Sequence, residues 1–402
     1  SSAGKPPALP FQQRFPGKRG EVAKAHGATE SSDRAVEQGL HFLARCQFPD
    51  GRWALDRLPP GVVPPTVDAG LGQMNSDTAA TGLALLAFLG KGYTHIDDKY
   101  RNQVGAGLRW LIANQQADGQ LFSDQTDQTV YAQFYGNGIA TIALSEAYGM
   151  TWDEDLHEPL KRAIGFILAA QHPQRGGWRY LAGVESDTSV SGWKLMALKS
   201  AQMAGLEVPQ ASLEKVSGWL DLAQGQTGAE YRYNPYALDT DAQRQGRVPN
   251  LAMTAEGLLM RLYLGRHRTH PEMIAGANIL QRSLPPRPEE TRAARDVYYL
   301  YYATQVMFQM QGDYWKAWND RLRPLLEATQ VQSGPLIGSW NPDVPVADRW
   351  GHAGGRHYVT AMGLLMLEVY YRHLPLFREL DKQPSPAAEQ SPPDPLKGAV
   401  ER

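Results

Sequence analysis

Gly39-Leu-His-Phe-Leu-Ala-Arg-Cys-Gln47 returns three times along the chain, as Gly107-Leu-Arg-Trp-Leu-Ile-Ala-Asn-Gln115, Ala163-Ile-Gly-Phe-Ile-Leu-Ala-Ala-Gln171 and Val216-Ser-Gly-Trp-Leu-Asp-Leu-Ala-Gln224. An aromatic residue, Phe42, Trp110, Phe166 or Trp219, stands five residues before each glutamine. Apolar residues around it recur at helical spacing, so each copy predicts an amphipathic helix ending near its glutamine. A weaker copy ends at Gln330 with Leu325 in the aromatic slot, and a degenerate one covers Met273 to Gln281.

A turn and a second aromatic follow the glutamine: Gln47-Phe-Pro-Asp-Gly-Arg-Trp53, then Asp118-Gly119 and Phe122, Gly176-Gly-Trp178, and Gly338-Ser-Trp340. Asp-Gly and Gly-Gly supply positive-φ positions at a helix exit. The pattern predicts a staple, the glutamine amide satisfying loose backbone groups while the aromatic ring stacks over it. Another helix follows each loop. These second helices, aligned on Gly82, Gly138, Gly192, Gly257, Ala303 and Gly363, lie 56, 54, 65, 46 and 60 residues apart and are nearly free of charge in their middles. Helices apolar on most faces are interior ones. Six outer–inner hairpins with a consistent inside predict an all-α fold, an (α/α)6 toroid over residues 35–377, its inner helices starting at one mouth of a central cavity. Residues 1–34 and the Pro-rich 378–402 predict disordered tails or linkers to other domains of a larger protein.

The 402 residues carry 40 Lys+Arg against 42 Asp+Glu. That balance excludes a nucleic-acid binder dominated by phosphate contacts. One cysteine, Cys46, excludes a disulfide framework and a multi-thiolate metal site. No uncharged apolar run reaches the roughly 18 residues of a membrane span, and no signal-peptide pattern precedes the first hairpin, so the compartment stays unread and a processed or excised piece is expected.

The Gln47–Trp53 turn between paired helices resembles the repeats of squalene–hopene cyclases and protein prenyltransferase β subunits. Together with Ser76-Asp-Thr-Ala79, Ser186-Asp-Thr-Ser189 and the segments from Asp296 and Arg349, the chain is similar to bacterial prenyltransferase/squalene-oxidase-repeat proteins, across nearly all of its folded region. A cyclase of this class protonates an alkene with the middle aspartate of an Asp-Xaa-Asp-Asp-Thr-Ala motif. Here that position falls on Ser76 and again on Ser186, whose hydroxyls are too weak as acids, and the surviving Asp77 and Asp187 read as helix N-caps. The prenyltransferase zinc site needs a cysteine near an inner-helix start, whereas Cys46 ends an outer helix. The Gly-Cys-Gly-Glu-Gln thioester string of complement-like toroids is absent. No metal and no cofactor are expected.

The cavity retains other candidates. Asp296, Tyr298, Tyr299 and Tyr302 open the fifth inner helix, Tyr131 and Tyr135 the second, Trp193 lies in the third, and Arg356, His357 and Tyr358 precede the sixth. Aromatic walls with phenol tips suit flat apolar or sugar-like ligands. Glu256, a carboxylate on an apolar helix, needs a partner or the lumen. Asp239, Asp241 and His357 are weak acid–base candidates. Arg349, His352 and Arg356 flank a glycine-rich loop that could meet an anion. The leading expectation is a toroid that binds a ligand, or serves as a scaffold, without a recognisable cyclase acid. The alternatives are a divergent enzyme, either an isoprenoid cyclase with a relocated acid or a polysaccharide-active one, and a module that grips a peptide.

Overall fold

Helix formers interrupted by glycine-rich exits build a chain of helices and loops. The computed structural model describes residues 7–97, 99–290 and 292–373, with no strand beyond isolated bridges among them. A 3-10 turn, Leu9–Arg14, leads into α1 (Pro16–Ala25). Six hairpins follow: α2 (Glu30–Arg45) with α3 (Asp77–Gly90), α4 (Arg101–Ala113) with α5 (Val130–Thr151), α6 (Glu154–Ala169) with α7 (Thr188–Met203), α8 (Gln210–Ala223) with α9 (Leu251–Tyr263), α10 (Pro271–Gln281) with α11 (Val297–Met310), and α12 (Gly312–Thr329) with α13 (Gly351–Leu367). A short α14 (Val369–Arg372) ends the described chain. The second helix of each pair packs against the next, and α13 packs back on α3, while α12 meets α2 outside. The result is the expected (α/α)6 toroid. No helix among the described residues is long and apolar enough to cross a membrane.

The inner ring forms because its helices have almost no polar face: every residue of α3 is buried, as is Gly136 through Met150 of α5. Small residues let the backbones approach, and a Cβ on Gly82 would press on Ile139 and Ala140. The outer helices bury one stripe only; in α2 it runs through Ala35, Val36, Gly39, Leu40, Phe42 and Leu43.

The staple is real and reaches further than a single hairpin. Gln47 Nε2 donates to Gly51 O at 2.8 Å and to Gln103 O of α4 at 2.9 Å. Gln115 does the same to Gly119 and Pro159, and Gln171 to Gly176 and Ser212. Gln224 reaches Gly228 O and the Glu272 carboxylate. Gln330 donates to Gly338 O and, at 2.8 Å, to Ala35 O of α2, which closes the ring. Each turn glycine has positive φ and sits against the next outer helix; a Cβ on Gly338 would collide with Gln38 O. The following aromatic wedges between the layers. Trp178 N–H donates to Ser191 Oγ at 2.9 Å and its indole N–H to Ile167 O at 2.7 Å, with matching pairs at Trp53 and Trp340. In the second repeat the wedge is Leu121, fully buried, and not the expected Phe122, which is only half-buried. The fourth wedge is Tyr231. The fifth repeat has no equivalent: after Gln281 the chain runs Arg282-Ser-Leu-Pro-Pro286, and Trp318 of α12 donates its indole N–H to Thr304 at 3.0 Å in its place.

The expectation of a disordered segment over residues 1–34 fails for the part described. Residues 9–25 are helical, and α2 starts at Glu30 behind a capping box of Thr29 and Ser32. Phe11 is fully buried against Gly149, and Arg14 enters the end of the ring opposite the mouth. There its Nη1 meets Glu146 Oε2 at 2.6 Å, Arg372 Nη2 meets Oε1 at 3.0 Å, and Arg14 Nη2 donates to Arg372 O. Residues 1–6 and 378–402 lie outside the described residues.

Candidate functional site

Every loop from an outer helix to its inner partner lies on one face, so the N-termini of the inner ring gather at one mouth. Their orphan N–H groups draw carboxylates. Asp187 caps α7 by accepting from Val190 N at 2.7 Å, as expected, and Asp296 caps α11 through Tyr299 N. Asn250 caps α9. Asp77 does not cap α3, contrary to expectation: it occupies the first helical position and is held by Arg52 at 2.9 Å and by Arg57. Burial lifts its carboxyl to about 7 against the pull of Arg57 and Arg52. The cap of α3 comes from the next repeat, where Asp127 accepts from Thr78 N at 3.0 Å and Ser123 N at 2.7 Å. Asp348 likewise serves α11 from the following loop, accepting from Val297 N. Ser76 and Ser186 are fully buried, their hydroxyls without hydrogen-bond partners.

Inside the mouth the third, second and fifth inner helices bring aromatic side chains together. Tyr135 donates to Ser189 Oγ at 3.0 Å, and Ser189 shares a 2.6 Å hydrogen bond with the Tyr298 hydroxyl. Trp193 donates its indole N–H to Tyr298 at 3.1 Å and stacks on Tyr301 with the rings 10° apart. Tyr302 packs edge-on against Trp193, Tyr298 and Tyr301. Glu256 lies behind this group, 0 % exposed, against the backbone of Gly192. The Tyr302 and Tyr298 phenols are near enough to favour its anion, yet neither carboxylate oxygen completes a hydrogen bond. Burial holds the carboxyl well above the ordinary range, against the pull of the Tyr302 and Tyr298 hydroxyls. Nearer the surface, the Tyr180 and Tyr233 hydroxyls are 2.5 Å apart, and Tyr233 donates to Asp187 Oδ2 at 3.0 Å. Tyr135 and Tyr298 remain half-buried within the ring, and Tyr131, 46 % exposed, stands at the rim edge-on to Tyr180.

Several expected site residues serve the frame instead. His357 is buried, and burial lowers it to about 4; the neutral ring donates through Nε2 to Ala80 O at 2.8 Å, a bond from α13 to α3 across the seam. Arg356 donates to Ala69 O and Ser339 Oγ on the same seam, so it is not free for an anion. Tyr299 turns outward, donating to Ser283 O and packing on Trp318. Asp239 and Asp241 are exposed and pair with Arg244. The Tyr358 hydroxyl is buried without a partner. Cys46 is buried, which pushes its thiol up to about 12. Among the described residues no cluster of His, Cys, Asp or Glu is arranged to hold a metal. The sequence reading missed Ser189, Tyr180, Tyr233, Arg52, Arg57 and Asp127. The one available signal was the arginine beside the wedge residue, Arg52 before Trp53 and Arg179 after Trp178.

Burial raises Asp187 from the usual carboxylate range to about 7, while Val190 N–H, the Tyr233 hydroxyl and Arg179 pull it back. A folded value above the unfolded one means stability that is fully present below about pH 4 and lost as the pH rises through about 7. Asp187→Asn keeps a capping oxygen and never ionises. Urea unfolding should therefore show the variant gaining on the parent by about 2–4 kcal/mol between pH 4 and pH 8; parallel pH profiles would refute this.

No family model matches the sequence, and a search of curated proteins finds no match. Among solved structures, the GH76A α-1,6-mannanase of Salegentibacter sp. HEL1_6 superposes with a TM-score of 0.58 at 11% identity, over 85% of this chain and 98% of that one. An α-amylase from Clostridium perfringens gives 0.54 at 10% identity, over 84% and 98%. The type II terpene cyclase MstE from Scytonema gives 0.52 at 12% identity, over 87% and 100%. The toroid is thus a fold shared with both sugar-active and isoprenoid-active proteins.

Proposed function

We propose that the mouth binds a neutral, hydroxyl-bearing ligand of sugar type and that the domain does so without hydrolysing it. One observation carries this reading. Five aspartates at the inner-helix starts are engaged, Asp77 by arginines and Asp127, Asp187, Asp296 and Asp348 by N–H groups there. What these starts add toward the lumen is phenol and serine hydroxyl, with the exposed rings of Tyr131 in the first turn of α5 and of Tyr236 and Trp350 on the mouth loops as stacking platforms. Those five offer no pair of free carboxyls of the kind glycoside hydrolysis requires. The fold neighbours support a sugar ligand, since a variant of the mannanase is described in complex with α-1,6-mannotriose. The resemblance to squalene-cyclase and prenyltransferase repeats agrees with the frame and, with Ser76 and Ser186 at the acid positions, with the lack of chemistry. Calorimetry with mannotriose and maltotriose should show binding without product, weakened about tenfold by Tyr233→Phe or Tyr135→Phe, each of which removes one hydroxyl from the network. Sugar hydrolysis, or no affinity for either sugar, would overturn the reading.

A second reading rests on Glu256. A buried carboxyl with both oxygens unpaired, raised by burial among Trp193, Tyr298 and Tyr302, has the makings of a proton donor whose cationic product the rings would stabilise. A variant of the terpene cyclase neighbour is described with geranylgeranyl dihydroxybenzoate as substrate. Incubation with squalene and shorter isoprenoids decides it: cyclised product that disappears in Glu256→Gln would replace the binding reading with catalysis.

A further inference from the structure

The fifth repeat is the one without a wedge in its own turn, and a cavity lies beside its inner helix. In the other repeats Trp53, Leu121, Trp178, Tyr231 and Trp340 fill the gap between the outer and inner layers and are fully buried. In the fifth, Trp318 reaches the middle of α11 from the side, at Thr304. On the mouth side of the ring lies a cavity of about 590 Å³ between α11, α12 and α13, roofed by the loops that contain Pro286 and Val346. This volume falls within the roughly 300–1,000 Å³ of small-molecule sites. The cavity is separate from the central group, since Tyr135, Ser189, Trp193, Glu256 and Tyr298 take no part in its walls.

Its walls are hydrocarbon: Leu300, Leu325, Leu326, Val359, Met366 and the face of Trp340. Three polar groups among them are already engaged. Thr329 Oγ1 donates to Leu325 O, the Tyr299 hydroxyl to Ser283 O, and Asn250 Oδ1 accepts from Met253 N. A buried polar group on a ligand would find few partners and would cost free energy. The inner part of the occupant is therefore apolar. The entrance differs. Arg287, Arg295 and Arg349 stand there against Glu290 and Asp296. Arg349 is 67 % exposed, and its nearest carboxylate, Asp296, is 3.9 Å away. Arg295 is anchored by donating to Asn341 O at 2.6 Å. The Asp348 and Asp343 carboxylates also act on Arg295, so the loosely held positive charge where a chain lying in the cavity would end is that of Arg349.

We infer that this cavity beside α11 is a second binding site, for a single hydrocarbon chain that ends in an anionic group. The chain fills the apolar space between α11, α12 and α13, and Arg349 meets the head. A carboxylate and a phosphate monoester share this chemistry, and both go into the test. The full chain is titrated with dodecanoate, dodecyl phosphate and dodecanol. One equivalent of an anionic amphiphile should bind, at least about tenfold more tightly than dodecanol, the margin of a charge-assisted hydrogen bond. Whichever anion binds more tightly identifies the source. Arg349→Glu should remove that margin and leave dodecanol unchanged. Val346→Trp, which fills the cavity from a loop, should weaken all three ligands about tenfold or more while the affinity for mannotriose at the central mouth stays the same. If Val346→Trp does not fold, Ala252→Phe fills the same space from α9. Equal affinity for the anions and the alcohol, or anion binding that survives both a filling variant and Arg349→Glu, would overturn the assignment, as would no binding at all.

Discussion

Glu146→Ala should cost about 3–5 kcal/mol of unfolding free energy, the range for breaking a buried ion pair from one side. The carboxylate sits at the far end of the ring with Arg14 on one oxygen and Arg372 on the other, and all three side chains are almost wholly buried. Removing it strands two guanidiniums where water does not reach. Burial alone would raise the Glu146 carboxyl, but Arg14 and then Arg372 hold it down at about 2. The sign follows from that direction. With a folded value below the unfolded one, the stabilisation is present above about pH 4.5 and is lost as the pH falls toward 2. Denaturant melts of the parent at pH 7 and pH 3 should differ by more than those of Glu146→Ala. The variant should also become sensitive to proteolysis between residues 9 and 25, because Arg14 is one of the side chains that anchor that segment. A loss below 1 kcal/mol would show that the cluster does not hold the ends of the ring.

The second large effect belongs to a wedge. Trp178→Ala deletes a fully buried indole and its hydrogen bond to Ile167 O, and leaves a cavity between layers that cannot collapse because the Gly176 turn is pressed on the backbone at Lys215. Large-to-small changes of this kind cost about 3–5 kcal/mol. Trp178→Leu should cost clearly less, since the second repeat already works with Leu121. Urea melts of the two variants give the comparison, and equal losses would mean that the indole nitrogen, not the volume, matters.

Both effects bear on what was legible in the chain. The ring was, because one local event, a helix ending at glutamine before a glycine turn, is written again and again; the eye needs only periodicity. The reach of the glutamine to the next outer helix was not, because nothing near Gln47 names Gln103. The same limit explains the site. Asp77 and Asp187 stand in nearly identical strings, yet one is claimed by Arg52 and Arg57 from its own long loop and the other caps its helix. Local sequence cannot separate them. Phe122 drew attention as an aromatic, but the register of the turn selects Leu121. Residues 9–25 are poor in apolar pattern and rich in proline, glycine and charge, and they are held by Phe11, Arg14, Ala23 and Arg19, which donates to Lys91 O, contacts too scattered to show as a periodicity. His357 and Arg356 read as functional for their chemistry and are spent on a seam that exists only because the first and last hairpins meet. The central group was half visible. Tyr135, Trp193, Tyr298 and Tyr302 were expected in the cavity and do come together, whereas Ser189 joins them from a string read only for its aspartate, and Tyr233 stands near them from a segment that carries no motif.

The bond from Gln330 to Ala35 has a consequence for how such a chain can fall apart or change. A linear array of repeats frays from its ends and tolerates one unit more or fewer. Here every hairpin is a middle one, and the number six is enforced by geometry rather than by sequence length. Losing any single hairpin strips the apolar flanks of two others at once, so partial states are steeply disfavoured and the whole circle should melt in one cooperative step.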